Sequence, residues 1–176
     1  MKNQIHAFTI RSLAAAFSCA LTLGTLSAAD TDSTGKSFIK DAYQDGLAEI
    51  KMGELGVGKT ANPEVKNFAQ RMIDDHTAAN TELKSMADLK SVEVASGPSL
   101  MAQGKTKLLD TKSGGDFDKA FVNDMVSDHE KAVKSFEKAA TESSDPDVKA
   151  FANKTLPTLK SHLSMAQELQ QKIGKP

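Results

Sequence analysis

The sequence predicts an all-α protein, a four-helix bundle built from two helical hairpins with a long connection between the second and third helices. Three observations carry that reading. Apolar residues recur at steps of three and four over four long stretches. A helix-start motif occurs twice, "ANPEVKNFA" at 61–69 and "SDPDVKAFA" at 144–152. Between the two halves lies a stretch broken by Gly-Pro and Gly-Gly steps, 89–116.

The first 29 residues are expected to lie outside this fold. Lys2 and Arg11 precede an apolar run from Leu13 to Leu26, which is followed by Ser27-Ala28-Ala29 and then by charged sequence. This is the pattern of a cleaved secretory signal, with the mature chain starting at or close to Asp30. The run is shorter than the roughly 20 apolar residues a spanning helix needs, and Ser, Thr and Gly interrupt it. "AFS" before Cys19 is a poor lipoprotein box. The expected product is a single domain, 30–176, exported to the periplasm or beyond, with no stable membrane span.

Removing Lys2 and Arg11 leaves 20 basic and 23 acidic residues, no cysteine and three histidines. Without thiols there is no disulfide framework, zinc–thiolate site or cysteine nucleophile. A mildly acidic chain without a Lys/Arg run argues against a nucleic-acid surface. No Gly-rich phosphate loop and no G-x-S-x-G turn is present. The reading therefore leans away from an enzyme, and no feature specifies a protein partner or an oligomeric state.

The first helix is expected at about 35–60, with Ile39, Tyr43, Ile50 and Val57 as its stripe. Gly46, Gly53, Gly56 and Gly58 lie inside it, each lowering helix propensity by about 1 kcal/mol relative to Ala, so close approach of a neighbouring helix is the expected reason for them. The second helix, about 63–88, starts with Asn62 as cap, Pro63 in the first turn and Glu64 at the positive end of the dipole. Its stripe is Val65, Phe68, Met72, His76, Ala79 and Leu83. The connection has room for a short helix between Ser99 and Leu109, and its length suits a crossover of the kind seen in ferritin-like bundles.

The third helix, about 116–142, carries Phe117, Phe121, Met125, His129, Ala132 and Phe136. The fourth, about 146–173, repeats the start of the second with Asp145, Pro146 and Asp147, and its stripe includes Leu159, His162, Ala166 and Leu169. Pro157 lies well inside it, where the missing N–H and the ring clash predict a kink that steers His162 inward.

Each mature histidine thus sits on the apolar stripe of a different helix. His76 is 13 residues after Pro63, His129 is 13 after Asp116, and Glu49 is 13 after Lys36, so each lies about 20 Å along its helix. His162 is about one turn further along. The spacing predicts Glu49, His76, His129 and His162 meeting near mid-bundle, as a site for a metal ion or small ligand or as a structural polar cluster. Asp75 and Asp128 adjoin two of the histidines and could orient imidazoles as hydrogen-bond acceptors, but neighbours on a helix point about 100° apart, so solvent is the favoured expectation for both. Met72, Met125 and Met165 share faces with the histidines, and thioether with imidazole suits copper, a divalent metal being the broader expectation.

The combination of "AEI" with the Gly-rich first helix, "NPEVKNFAQRMIDDHTAAN", "MVSDHEKAVKSFE" and "VKAFANKTLPTLKSHL" resembles the exported bacterial domain-of-unknown-function family 4142, from about Phe38 to Leu169. The resemblance implies the ferritin-like superfamily, with Glu49, His76, His129, Pro157 and His162 at the family's motif positions. It implies no particular activity. Residues 73, 126 and 159, three before each histidine, are Ile, Val and Leu rather than the Glu that di-iron bundles need, so an iron store or di-iron oxidase is not expected. A structural or stress-related envelope protein is the alternative reading.

Overall fold

The computed structural model describes residues 33–174. The expected signal segment, residues 1–29, lies outside them. The described chain is all helical: α1 (Ser33–Lys59), α2 (Pro63–Leu89), α3 (Leu100–Asp110), α4 (Gly114–Glu142) and α5 (Pro146–Ile173). The four long helices fall within two residues of the expected bounds, and the short helix allowed for in the connection is α3.

The two repeated starts form the caps their residues dictate. Asn62 Oδ1 accepts from the backbone N–H groups of Glu64 at 2.9 Å and Val65 at 3.4 Å, and Asp145 Oδ1 accepts from those of Asp147 at 2.9 Å and Val148 at 3.2 Å. Helix α2 ends with Ser91 in the left-handed region, φ 52°. There Val92 N–H donates to the Ala87 carbonyl at 2.8 Å and Ser91 N–H to Asp88 at 3.2 Å, the Schellman pattern that occupies otherwise orphaned carbonyls. Lys90, beside this turn, pairs with Asp145 at 2.7 Å and so ties the end of α2 to the start of α5.

The most extensive packing is α1 on α2 and α4 on α5, with α1 also touching α4 and α2 touching α5. The glycines of α1 explain the first contact. A Cβ on Gly53 would meet the Ala69 carbonyl oxygen at 2.9 Å and Ile73 Cγ1 at 2.8 Å, and one on Gly46 would collide with the Asn80 side chain. Asn80 uses that space to donate from Nδ2 to the Tyr43 carbonyl at 3.1 Å. Gly58 has nothing within 4 Å of such a Cβ, so close approach accounts for three of the four glycines and not for this one. The two kinds of position should respond oppositely to alanine. Gly53→Ala should lose about 1–2 kcal/mol, because overpacking against a backbone carbonyl outweighs the propensity gain, whereas Gly58→Ala should gain up to about 1 kcal/mol. Urea denaturation of the two variants checks this, and a stabilised Gly53→Ala would contradict the packing explanation.

The core is two apolar clusters with a polar centre between them. One gathers Phe68, Met72, Phe117, Phe121, Met125 and Leu169, the other Ile39, Leu83, Phe136, Val148, Phe151 and Leu159. Along α2, α4 and α5 a histidine falls between the residues given to one cluster and those given to the other, and along α1 the residue in that place is Glu49. Helix α5 runs unbroken through Pro157, which is exposed. The carbonyl four residues back, on exposed Asn153, loses its helical donor on the side where water can replace it.

Candidate metal centre

His129 and His162 are each only 1% exposed, and His76 is 9% exposed. Their ring centroids are 5.3–5.6 Å apart, and one ring nitrogen from each lies within 4.8 Å of the others. The chain thus brings together three imidazoles separated by 53 and 33 residues of sequence. Among the described residues this is the one group of His, Cys, Asp or Glu side chains that converges so closely.

The hydrogen-bond partners assign the tautomers. His129 Nδ1 lies 3.0 Å from the Met125 carbonyl, which can only accept, so Nδ1 carries the proton and Nε2 the lone pair. His162 Nε2 lies 2.8 Å from Asp75 Oδ2. Burial pushes the Asp75 carboxyl up, but hydrogen bonds from His162 and Arg71 overcome this and hold it below its ordinary value. Asp75 therefore accepts, His162 Nε2–H donates, and His162 Nδ1 keeps its lone pair. Those two lone-pair nitrogens face each other at 3.3 Å.

A proton between them would require one ring to be an imidazolium, and the surroundings oppose that. Burial, then the His162 charge, depress His129 to about 4. Burial, then His129 and His162, depress His76 to about 3. Burial also lowers His162, against the pull of Asp75. The third ring contributes a further unsatisfied atom, since His76 Nε2 is buried without a hydrogen-bond partner. The edge of a tetrahedral site with metal–nitrogen bonds of about 2.0–2.1 Å is about 3.3 Å, so the facing pair already stands at a coordination spacing.

Glu49 reaches the same centre from α1 but stands outside the 4.8 Å group, on the wall of a cavity of about 470 Å³ that the triad also lines. It is 9% exposed and its Oε2 has no partner. Burial, then the charge of Asp128, push its carboxyl up to about 8, so the metal-free protein carries it protonated at neutral pH. Helix α3 closes over the cavity: Ser99, Met101, Ala102 and Lys105 line it, and Lys105 is held by Asp128 and by Asp124 at 3.3 Å. The connection between the two halves is thus a cover for the site.

Two expectations need correcting. Asp75 is not left to solvent, because His162 approaches it from α5, a partner its own helix does not reveal. Asp128 is occupied by Lys105 and, at 3.4 Å, Lys131. The thioethers of Met72 and Met125 do not line the cavity but belong to the apolar cluster beside it, and Met165 packs at that cluster's edge.

The Glu49 carboxyl makes a pH-dependent prediction. Its folded value of about 8 exceeds the ordinary 4.5, so its contribution to stability is complete below pH 4.5 and is lost as pH rises through 8. Glu49→Gln keeps the neutral shape and removes that loss. Metal-free Glu49→Gln should match wild type near pH 4.5 and exceed it by a few kcal/mol at about pH 8.5, at about 1.4 kcal/mol per pKa unit. Urea melts at the two pH values check this; an equal difference at both would contradict it.

The sequence matches the model of DUF4142, a domain of unknown function, over residues 20–169. The chain belongs to that family. No curated protein matches it. Among solved structures it is similar to a DUF305 fragment from Deinococcus radiodurans, at TM-score 0.73 and 11% identity, covering 81% of this chain and 98% of that one. It is similar to a DUF305 protein from Streptomyces coelicolor described as secreted, at TM-score 0.70 and 18% identity, covering 84% and 96%. It is also similar to CopM in its Cu(II)-bound form, at TM-score 0.67 and 20% identity, covering 78% and 96%. These likenesses show the helical-bundle fold. No described helix is long and apolar enough to cross a membrane.

Proposed function

We propose that this protein binds one transition-metal ion, copper foremost, through the imidazoles of His76, His129 and His162. The observation that carries the reading is the pair of ring nitrogens, His129 Nε2 and His162 Nδ1, whose lone pairs face each other at 3.3 Å beside the unpartnered Nε2 of buried His76. Neutral imidazoles are the form a metal requires, and burial keeps these three neutral. Asp75 on His162 and the Met125 carbonyl on His129 are the outer partners that orient metal-binding imidazoles.

Imidazole accepts zinc, copper, iron and nickel, and divalent copper binds nitrogen sites most strongly among them. The similarity to CopM, solved in Cu(II)- and Cu(I)-bound forms, points the same way. With three protein ligands the ion would have room for a further ligand, and the three histidines that would hold it also line the cavity. Glu49 belongs to the cavity wall in this reading. The role is metal capture by an exported protein, residues 1–29 being removed before Asp30; intact mass of the secreted chain checks the cleavage.

Metal analysis of the purified protein, with calorimetric titration of the metal-free form by Cu²⁺ and Zn²⁺, tests the proposal. Saturable binding of one ion per chain is expected. No saturable binding of either ion would leave the histidines as a structural polar centre that fixes the register of the helices.

A further inference from the structure

The cavity is larger than a metal ion needs. At about 470 Å³ it falls in the range of about 300–1,000 Å³ occupied by small-molecule sites. Its charged lining is uneven. Helix α1 places Asp45 and Glu49 one turn apart on the wall, and among the described residues neither carboxyl has an ion-pair partner. The basic groups nearby are engaged elsewhere: Lys105 by Asp124 and Asp128, Lys131 by Asp128, and Arg71 by Asp75. Glu49 is nine-tenths buried with Oε2 unpartnered, so it is a hydrogen-bonding atom at the cavity wall with nothing to bond. Further lining comes from Ala42, Ala79, Leu83, Ala132 and Phe136, which present only hydrocarbon.

Glu49 Oε2 is a buried polar atom without a partner, and Asp45, exposed one turn away on the same wall, carries a carboxyl without an ion-pair partner among the described residues. An ammonium group answers the first with its N–H donors and the second with its charge. A second metal ion does not suit the place, because only the three histidines converge within coordinating distance. An anion would face Asp45 and Glu49 with both lining lysines already paired.

We propose that the chamber binds a small organic cation, an ammonium on a short hydrocarbon body. The ammonium lies against Asp45 and Glu49, and the hydrocarbon lies along Leu83 and Phe136. The inference rests on the chamber and its two carboxyls, independently of the metal reading.

Calorimetric titration of chelator-treated, metal-free protein with n-hexylamine, n-hexanol and hexanoate tests it. Hexylamine should bind saturably and roughly tenfold or more tighter than hexanol, and hexanoate should not bind. The double variant Asp45→Asn with Glu49→Gln should lose about tenfold or more in hexylamine affinity. If that variant does not fold, each single substitution should weaken the amine severalfold, and Ala132→Phe, which fills the chamber, should abolish binding. Absent hexylamine binding, equal affinity for amine and alcohol, or unchanged affinity in folded carboxyl variants would overturn the proposal. Since no metal is present, a failed amine titration leaves the copper titration to stand or fall by itself.

Discussion

His129→Ala should abolish metal-dependent thermal stabilisation. A ligand that binds only the folded state adds stability by mass action, about 4 kcal/mol when free metal exceeds Kd by about a thousandfold. A centre of three imidazoles has no ligand to spare, and His129 supplies one of the two nitrogens standing at 3.3 Å. The substitution also opens a hole at a 1% exposed position, so the metal-free variant should itself melt below wild type. The decisive quantity is therefore the difference between melts with and without Cu²⁺ within each protein. It should be large and positive for wild type and close to zero for the variant, with the same result for His76→Ala and His162→Ala. A metal-induced shift that survives His129→Ala would contradict the assignment. In wild type the shift should persist as pH falls through the ordinary histidine value of about 6.5 and shrink only toward about pH 4, because burial holds His129 at about 4 and His76 at about 3 in the folded, metal-free protein.

Asp145→Ala should cost about 2–4 kcal/mol, the cap plus one charge-assisted hydrogen bond, against about 1 kcal/mol for Asn62→Ala at the equivalent place in the repeat. Both residues cap a helix through their side-chain oxygens. Asp145 is also 2% exposed and pairs at 2.7 Å with Lys90, whose side chain is 11% exposed. Burial pulls the Lys90 ammonium down, but Asp145 and then Asp147 overcome this and raise it, so it is charged at neutral pH. Removing the carboxylate would leave that charge with only the mostly exposed Asp147, at 2.8 Å. Urea denaturation measures both variants. Equal losses would mean that the ion pair adds nothing to the cap.

Much of this was legible because it is local. Caps at Asn62 and Asp145 follow from short-range chemistry of the chain, and the α-helical period follows from which face must be apolar. The height of the histidines followed too, since residue count times helical rise sets axial position whichever way the helices run. Contacts between helices were legible only in part. Counting places Glu49 at the right height but not at its radial reach, and it lines the chamber rather than joining the three nitrogens. The thioethers share faces with the histidines yet stand a turn away, inside or at the edge of the neighbouring apolar cluster. Solvent was favoured for Asp75 over orienting an imidazole because its partner comes from a helix 87 residues further along the chain. The chamber itself depends on how four helices and α3 close around one another, which no single stretch of sequence encodes.

X-ray absorption of the copper-loaded protein tests the central claim most directly. The account predicts a first shell containing three imidazole nitrogens and no sulfur, because the thioethers of Met72 and Met125 lie in the apolar cluster outside the chamber and Met101, on the chamber wall, is 86% exposed. A sulfur scatterer in that shell, or an imidazole count that does not fall in His129→Ala, would contradict it.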